Sequence, residues 1–202
     1  VHRHQLAELH YITAIDNVRS ILEVGLLSHA GAARLSPRTI ADEAVQARRA
    51  RKVVPHSGRR LHSYANLYLN ARNPMLYRLS SIHRDLCVLR VSQDVLDLEG
   101  VVIADRNAAS DYAAFWPAPG GLARIVYEDT FGEWWYHPEL DQIEQWRLKS
   151  AMQAEILVPD LVAPNFILGA YVATNHVLAN CHELGYRIDF AVNSFLFFRA
   201  GR

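Results

Sequence analysis

The chain has 202 residues, half of them hydrophobic and 21% charged, an ordinary globular composition that favours one domain spanning 1–202 around one sizeable core. Lys plus Arg (21) balances Asp plus Glu (21), so global charge points to no polyanionic partner. Cys87 and Cys181 stand alone, without CxxC or His/Cys spacing for zinc, which argues against a disulfide framework and against a metal site.

No apolar run approaches membrane-spanning length, so no membrane partner is expected. The opening Val1-His2-Arg3-His4 does not read as a signal peptide, and a cytoplasmic, reducing location is expected. Val1 in place of Met is what a chain trimmed, or beginning inside a longer one, would show.

In chain order, residues 9–13 alternate enough for a short strand, and Asp16 is expected to cap a helix ending at Gly25, a left-handed stop. Ser36-Pro37 offers an N-cap and first helical position for a helix to about Arg51, and residues 53–60, with Pro55 and Gly58, are expected to form a mobile basic loop. Residues 65–69 read as strand, Asn73-Pro74 opens a short helix through Leu79, and 86–91 is an apolar run expected as a buried strand. Residues 101–104 offer another strand, 107–116 and 121–129 read as helical or irregular, and 131–146, with three of the four tryptophans, fits no single element. Residues 154–158 and 166–173 are β-like, Thr174 caps a helix ending near Gly185, and 187–198 reads as strand, so the class is mixed α+β.

Charge is unevenly spread. From Arg34 to Arg72 nine basic residues stand against Asp42 and Glu43, whereas from Asp94 to Asp160 thirteen acids stand against four basic residues. Either the basic stretch meets phosphates along a confined path, or both stretches are solvated faces that compensate each other.

Four places could carry chemistry. His10-Tyr11-Ile12-Thr13 ends a strand before a helix and can present donors to a ligand, although a lone His beside apolar residues is more often structural. Arg48-Arg49-Ala50-Arg51-Lys52 suits a helix C-terminus, or lets one arginine turn inward to grip a pyrophosphate. The run from Asn66 to Met75 concentrates amides, Arg72 and aromatics, as a site wall or as a polar turn in which Asn70 and Asn73 cap the next helix. Glu155 interrupts a run otherwise fit for burial: it either faces solvent on an edge strand or is a buried carboxylate with a partner or a task.

Taken in order, His10-Tyr11-Ile12-Thr13 with Asp16-Asn17, Ile21-Leu22-Glu23-Val24-Gly25-Leu26-Leu27, Arg48-Arg49, Asn70-Ala71-Arg72-Asn73-Pro74-Met75-Leu76-Tyr77 and Gln153-Ala154-Glu155 resemble the DarT family, toxins of DNA ADP-ribosylating toxin–antitoxin systems. The resemblance spans nearly the whole chain. It implies an ADP-ribosyltransferase-like fold, a split mixed sheet with helices around an NAD cleft. It further implies transfer of ADP-ribose from NAD, as co-substrate, to guanine or thymine in single-stranded DNA. The wording of residues 63–68 with Arg72-Asn73-Pro74 lies nearer the guanine branch. Partners so implied are single-stranded DNA and an antitoxin with ADP-ribosyl-hydrolase activity, and a monomer is expected.

By the same resemblance Arg49 and Glu155 match the catalytic pair, His10 and Thr13 hold the adenosine part of NAD, and Asn17 and Leu27 line the cleft. Residues 34–60 form a loop over the dinucleotide. Tyr68 and Met75 sit on the nicotinamide side, Arg72, Asn73, Asn107 and Lys149 on the DNA side, and 131–149 forms the substrate-recognition loop. Lys149 stands where some members have Arg, and Asn107 where a His can occur, which bears on how DNA is positioned.

Breaking the nicotinamide–ribose bond builds positive charge on the ribose, which a carboxylate at Glu155 would stabilise. Glu155 could also hold a ribose hydroxyl or take a proton from the attacking base. Arg49 would clamp phosphates or polarise the base, and Tyr68, Trp134 and Trp135 could stack on unpaired bases at about 1–3 kcal/mol each, or pack in the core. Duplex DNA is expected to be a poor substrate, because the base would have to be flipped out. Two rival classes stay open: a transferase acting on RNA or protein, and a module that binds nucleotide or nucleic acid without turnover.

Overall fold

The computed structural model describes residues 1–55 and 57–199. Strand β1 (Leu9–Ala14) runs through a 3-10 turn into α1 (Val18–Val24), followed by β2 (Leu26–Leu27), α2 (His29–Ala32) and α3 (Glu43–Arg51). Next come β3 (Tyr64–Tyr68), α4 (Pro74–Arg78), β4 (Leu86–Val91), β5 (Val102–Ala104) and β6 (Phe115–Pro117). Helices α5 (Tyr127–Phe131) and α6 (Gln142–Ala151) precede β7 (Glu155–Pro159) and β8 (Leu161–Val162), and the described chain closes with β9 (Ile167–Val172), α7 (Asn175–Glu183) and β10 (Phe190–Val192).

Eight strands form one mixed sheet in the order β10-β9-β4-β1-β3-β7-β5-β6, while β2 and β8 pair separately. Only β10 and β9 run parallel; every other pairing in the sheet is antiparallel. Leu67, Leu89, Ile103, Ile156 and Val158 pack on one face with Val18 of α1 and Val177 of α7. On the other face Ile12, Tyr68 and Val88 pack against Leu76 of α4 and Phe197, and Tyr64 and Leu157 against Val54 and Leu61. Strand β4 supplies both faces, which is why 86–91 reads as an unbroken apolar run. Each such fully buried aliphatic side chain contributes roughly 1.5–3 kcal/mol.

The α+β expectation holds, and the DarT-like split of the sheet is visible in its ladders. Strand β1 pairs with β4 over six residues but with β3 only at His10↔Tyr68. Beyond that joint, residues 11–14 and 64–67 form no ladder with each other, so the two half-sheets diverge and open a gap.

Local expectations fail where chain geometry overrides a propensity signal. Asp16 does not cap α1: it lies in the 3-10 turn and pairs with Arg38. The helix expected from Ser36-Pro37 begins at Glu43, because Ser36 adopts φ 48° and Asp42 supplies the cap by accepting from the Val45 amide. Residues 53–55 and 57–60 belong to a loop, pinned by a bridge between Val53 and Arg60 and by buried Val54; His56 lies outside the described residues. Only Phe190–Val192 of 187–198 is strand, since the chain then turns back under Leu196 and Phe197. At Gly25 the expected stop is real: φ is 93°, and a Cβ there would lie 2.5 Å from the Val162 carbonyl oxygen. Among the described residues no helix is long and apolar enough to cross a membrane.

Candidate active-site cleft

The gap in the sheet is the mouth of a cleft of about 920 Å³, within the size range of small-molecule sites. A second lobe of about 330 Å³ adjoins it and shares Tyr11, Thr13, Asn17, Leu27 and Arg38. Tyr11, Ile12 and Thr13 of β1 line one bank; Tyr64, Asn66 and Tyr68, which alternate onto one face of β3, line the other. Residues 37–42 lie over the cleft, held by Asn17, whose side chain donates to the Arg38 carbonyl (2.9 Å) and accepts from its amide (3.0 Å).

Glu155 opens β7 opposite Tyr68 on one side and Ala104 on the other. Strand β7 is interior, between β3 and β5, so the solvent-facing reading of Glu155 is excluded, and the carboxylate is fully buried. A buried anion requires compensation. Arg49, from the last turn of α3, places Nη1 3.0 Å from both carboxylate oxygens, and the Ala108 amide donates to Oε1 at 3.0 Å. Arg49 itself is 7% exposed and lines the cleft, so it stands between Glu155 and the open space.

Burial, and then the nearby charge of Glu155, push the Tyr68 phenol above its usual range, so it stays protonated and donates to the Met75 sulfur at 3.1 Å. His62 stacks on His29 with ring centroids 4.0 Å apart and contacts Gln46 Oε1 at 3.0 Å. Burial first, then the charges of His29 and Arg49, hold its pKa down at about 4, leaving a neutral imidazole on the cleft wall.

The structure brings Thr13, Asn17, Leu27, Arg49, Tyr68, Met75, Asn107 and Lys149 together around this cleft, with Trp134 and Trp135 at its rim. Three expected residues are placed otherwise. His10 does not line the cleft: it sits at the one pair that joins β1 to β3, before the strands part, and its ring is directed to Glu8 (3.4 Å) and the Leu69 carbonyl (3.3 Å). Asn73 is fully buried and caps α4, accepting from the Met75 and Leu76 amides and donating to the Asn70 carbonyl. Arg72 donates to the Glu133 and Phe195 carbonyls and lies off the lining.

The cleft is also lined by His29, Gln46, His62 and Arg78, which no motif singled out, and by Tyr11 and Asn66, which lie in runs marked as candidate site walls but were given no role of their own. Period-two alternation could have found Tyr11 and Asn66; His29 and His62 carry no local signal, because their meeting depends on α2 packing beside the 61–63 turn. Of the basic stretch, Arg38, Arg49 and Arg59 are paired with carboxylates, whereas Arg48 lines the cleft without a carboxylate partner among the described residues. Among the described residues no three His, Cys, Asp or Glu side chains cluster as a metal site.

Comparison with known proteins agrees with this architecture. A family model described as "ssDNA thymidine ADP-ribosyltransferase, DarT" matches residues 10–194. A "DNA ADP-ribosyl transferase-DNA ADP-ribosyl glycohydrolase fusion protein" of Thermosipho africanus is 33% identical over 184 residues; the match covers 86% of this chain and 44% of that protein, so the chain spans less than half of it. The structure of Thermosipho africanus DarTG in complex with ADP-ribose superposes with a TM-score of 0.83 at 31% identity, covering 96% of this chain and 52% of that one. Thermus sp. 2.9 DarT in complex with ADP-ribosylated single-stranded DNA superposes with a TM-score of 0.79 at 25% identity, covering 95% and 96%.

Proposed function

The chain belongs to the DarT family, and from that premise we propose that it transfers ADP-ribose from NAD to a base of single-stranded DNA, releasing nicotinamide. The observation that carries this reading is the buried Arg49–Glu155 pair, whose arginine lines the cleft opened by the split sheet and covers the carboxylate. A carboxylate held in such a low-dielectric site stabilises the positive charge that develops on the ribose as the nicotinamide bond breaks, far more than one in water would.

Arg49 has a second task in this reading. It covers Glu155 and has to shift its guanidinium toward phosphate or base for the carboxylate to meet the ribose. Thr13, Asn17 and Leu27 bind the nucleotide, with Arg48 available for phosphate. Tyr68 and Met75 bound the reacting end, and Asn107, Lys149 and the Trp134–Trp135 pair meet DNA. The whole chain acts as one domain and as a monomer. It acts as a toxin in the cytoplasm, a placement consistent with two buried free cysteines, and its partner is an antitoxin that removes ADP-ribose. The glycohydrolase half of the Thermosipho africanus fusion protein supports that partner.

The test is to incubate the chain and its Glu155→Gln variant with NAD and single-stranded oligonucleotides, then fragment any adduct by mass spectrometry. An ADP-ribose adduct from the parent alone is expected. The family description supports thymine as the modified base, and fragmentation decides between it and guanine. Labelling of RNA or protein with no DNA adduct, or NAD binding without nicotinamide release, would overturn the proposal.

A further inference from the structure

An unbroken line of aromatic contacts leaves the cleft at its rim. Trp134 stacks on Trp135 with centroids 4.5 Å apart, and Tyr77 meets them edge-on at 5.0 and 5.4 Å. All three line the cleft. Tyr77 then meets Phe198 at 5.1 Å, and the Arg72 guanidinium lies 4.2 Å from the ring centroids of both Phe198 and Phe195.

Phe195 ends this line with 55% of its surface exposed. It is not a loose tail residue. Its neighbours Leu196 and Phe197 are buried, the Leu196 amide donates to Asn193 Oδ1 at 3.0 Å, and the turn is closed by Phe198 N to Phe195 O and Arg199 N to Ser194 O, each 3.0 Å. Phe198 takes φ 57°, a conformation uncommon for a bulky residue, and its ring thereby reaches both Tyr77 and Arg72. The turn therefore holds an apolar ring in water beside a cation that has no ion-pair partner among the described residues.

We propose that residues 193–199 extend the DNA path beyond the target base, with Phe195, backed by Arg72, as a stacking platform for an unpaired flanking base. This rests on the reading of the chain as an enzyme acting on single-stranded DNA. Flat bases of any identity stack on aromatic rings and guanidinium planes, and Arg72 adds attraction for the phosphates on either side. Continuity with the Trp134–Trp135 pair favours a nucleic-acid strand over a protein partner, because the same strand that enters the cleft can run along the whole line.

The experiment measures binding of labelled single-stranded oligonucleotides by fluorescence anisotropy without NAD, comparing a trinucleotide centred on the target base with an oligonucleotide of roughly 12 nucleotides. The parent is expected to bind the longer strand more tightly. Phe195→Ala and Phe195→Leu should weaken that binding about fivefold or more while leaving the trinucleotide within about twofold, and Phe195→Trp should restore it. Thermal unfolding of each variant verifies that the fold is kept.

A loss equal at both lengths would mark a purely structural role and overturn the platform. So would unchanged affinity at both lengths. If the parent modifies DNA but Phe195 variants show no length dependence, the platform fails and the proposed function stands; if the parent binds no oligonucleotide, both fail.

Discussion

Replacing Arg49 by Met removes the cation that compensates Glu155 while keeping much of the side chain's volume. Glu155 is fully buried and accepts from two groups, Arg49 Nη1 and the Ala108 amide, so the variant keeps one neutral donor beside a buried anion. Breaking a buried ion pair from one side costs about 3–5 kcal/mol. For a chain of this size each kcal/mol lowers Tm by about 2–4 °C, so a fall of about 6–20 °C is expected. Adding Glu155→Gln removes the stranded charge at the cost of one unpaired amide, about 1–3 kcal/mol, and should recover part of the loss. Calorimetric unfolding of the parent, both single variants and the double variant at neutral pH closes the cycle. If Arg49→Met unfolds within about 2 °C of the parent, or the double variant is no more stable than Arg49→Met alone, the pair is not the compensated buried unit described above.

Asn73→Ala should lower stability by about 1 kcal/mol or somewhat more through loss of the α4 cap, with trinucleotide affinity unchanged, as read by denaturant unfolding and anisotropy. Gly25→Ala should destabilise more than ordinary surface changes, because φ 93° and the Val162 oxygen both oppose a Cβ; hydrogen exchange should quicken across β2 and β8. His62 is depressed to about 4 from 6.5, so the unfolded chain binds the proton first: its contribution to stability is full above about pH 6.5 and is lost as pH falls toward 4, and His62→Gln should flatten that limb of the unfolding profile. Burial acts to raise the Glu8 carboxyl, but hydrogen bonds from His10, Arg90 and Tyr171 together outweigh it and hold it at about 2; its contribution is present above 4.5 and lost between 4.5 and 2, so Glu8→Gln should reduce acid sensitivity in that lower window.

Much of this protein was written in local pattern. The apolar run at 86–91 is a strand because both of its faces are buried, Asn73-Pro74 starts a helix because the amide caps and the ring fits the first turn, and Thr174 does the same for α7. The pairing of Arg49 with Glu155, 106 residues apart, was implied by the resemblance to the DarT family and by no local pattern. Tertiary structure alone decided what those residues experience. Glu155 is buried because β7 lies between β3 and β5, and strand order is not a local property. His10 stays out of the cleft because β1 joins β3 at that one pair, and the gap opens only beyond it, at residues 11–13. Arg72 and Asn73 are adjacent in one motif, yet the fold parts them: Asn73 is buried as the cap of the α4 amides, whereas the Glu133 and Phe195 carbonyls hold Arg72 beside the 193–199 turn, outside the cleft lining, since a buried polar group has to find its hydrogen bonds within the fold.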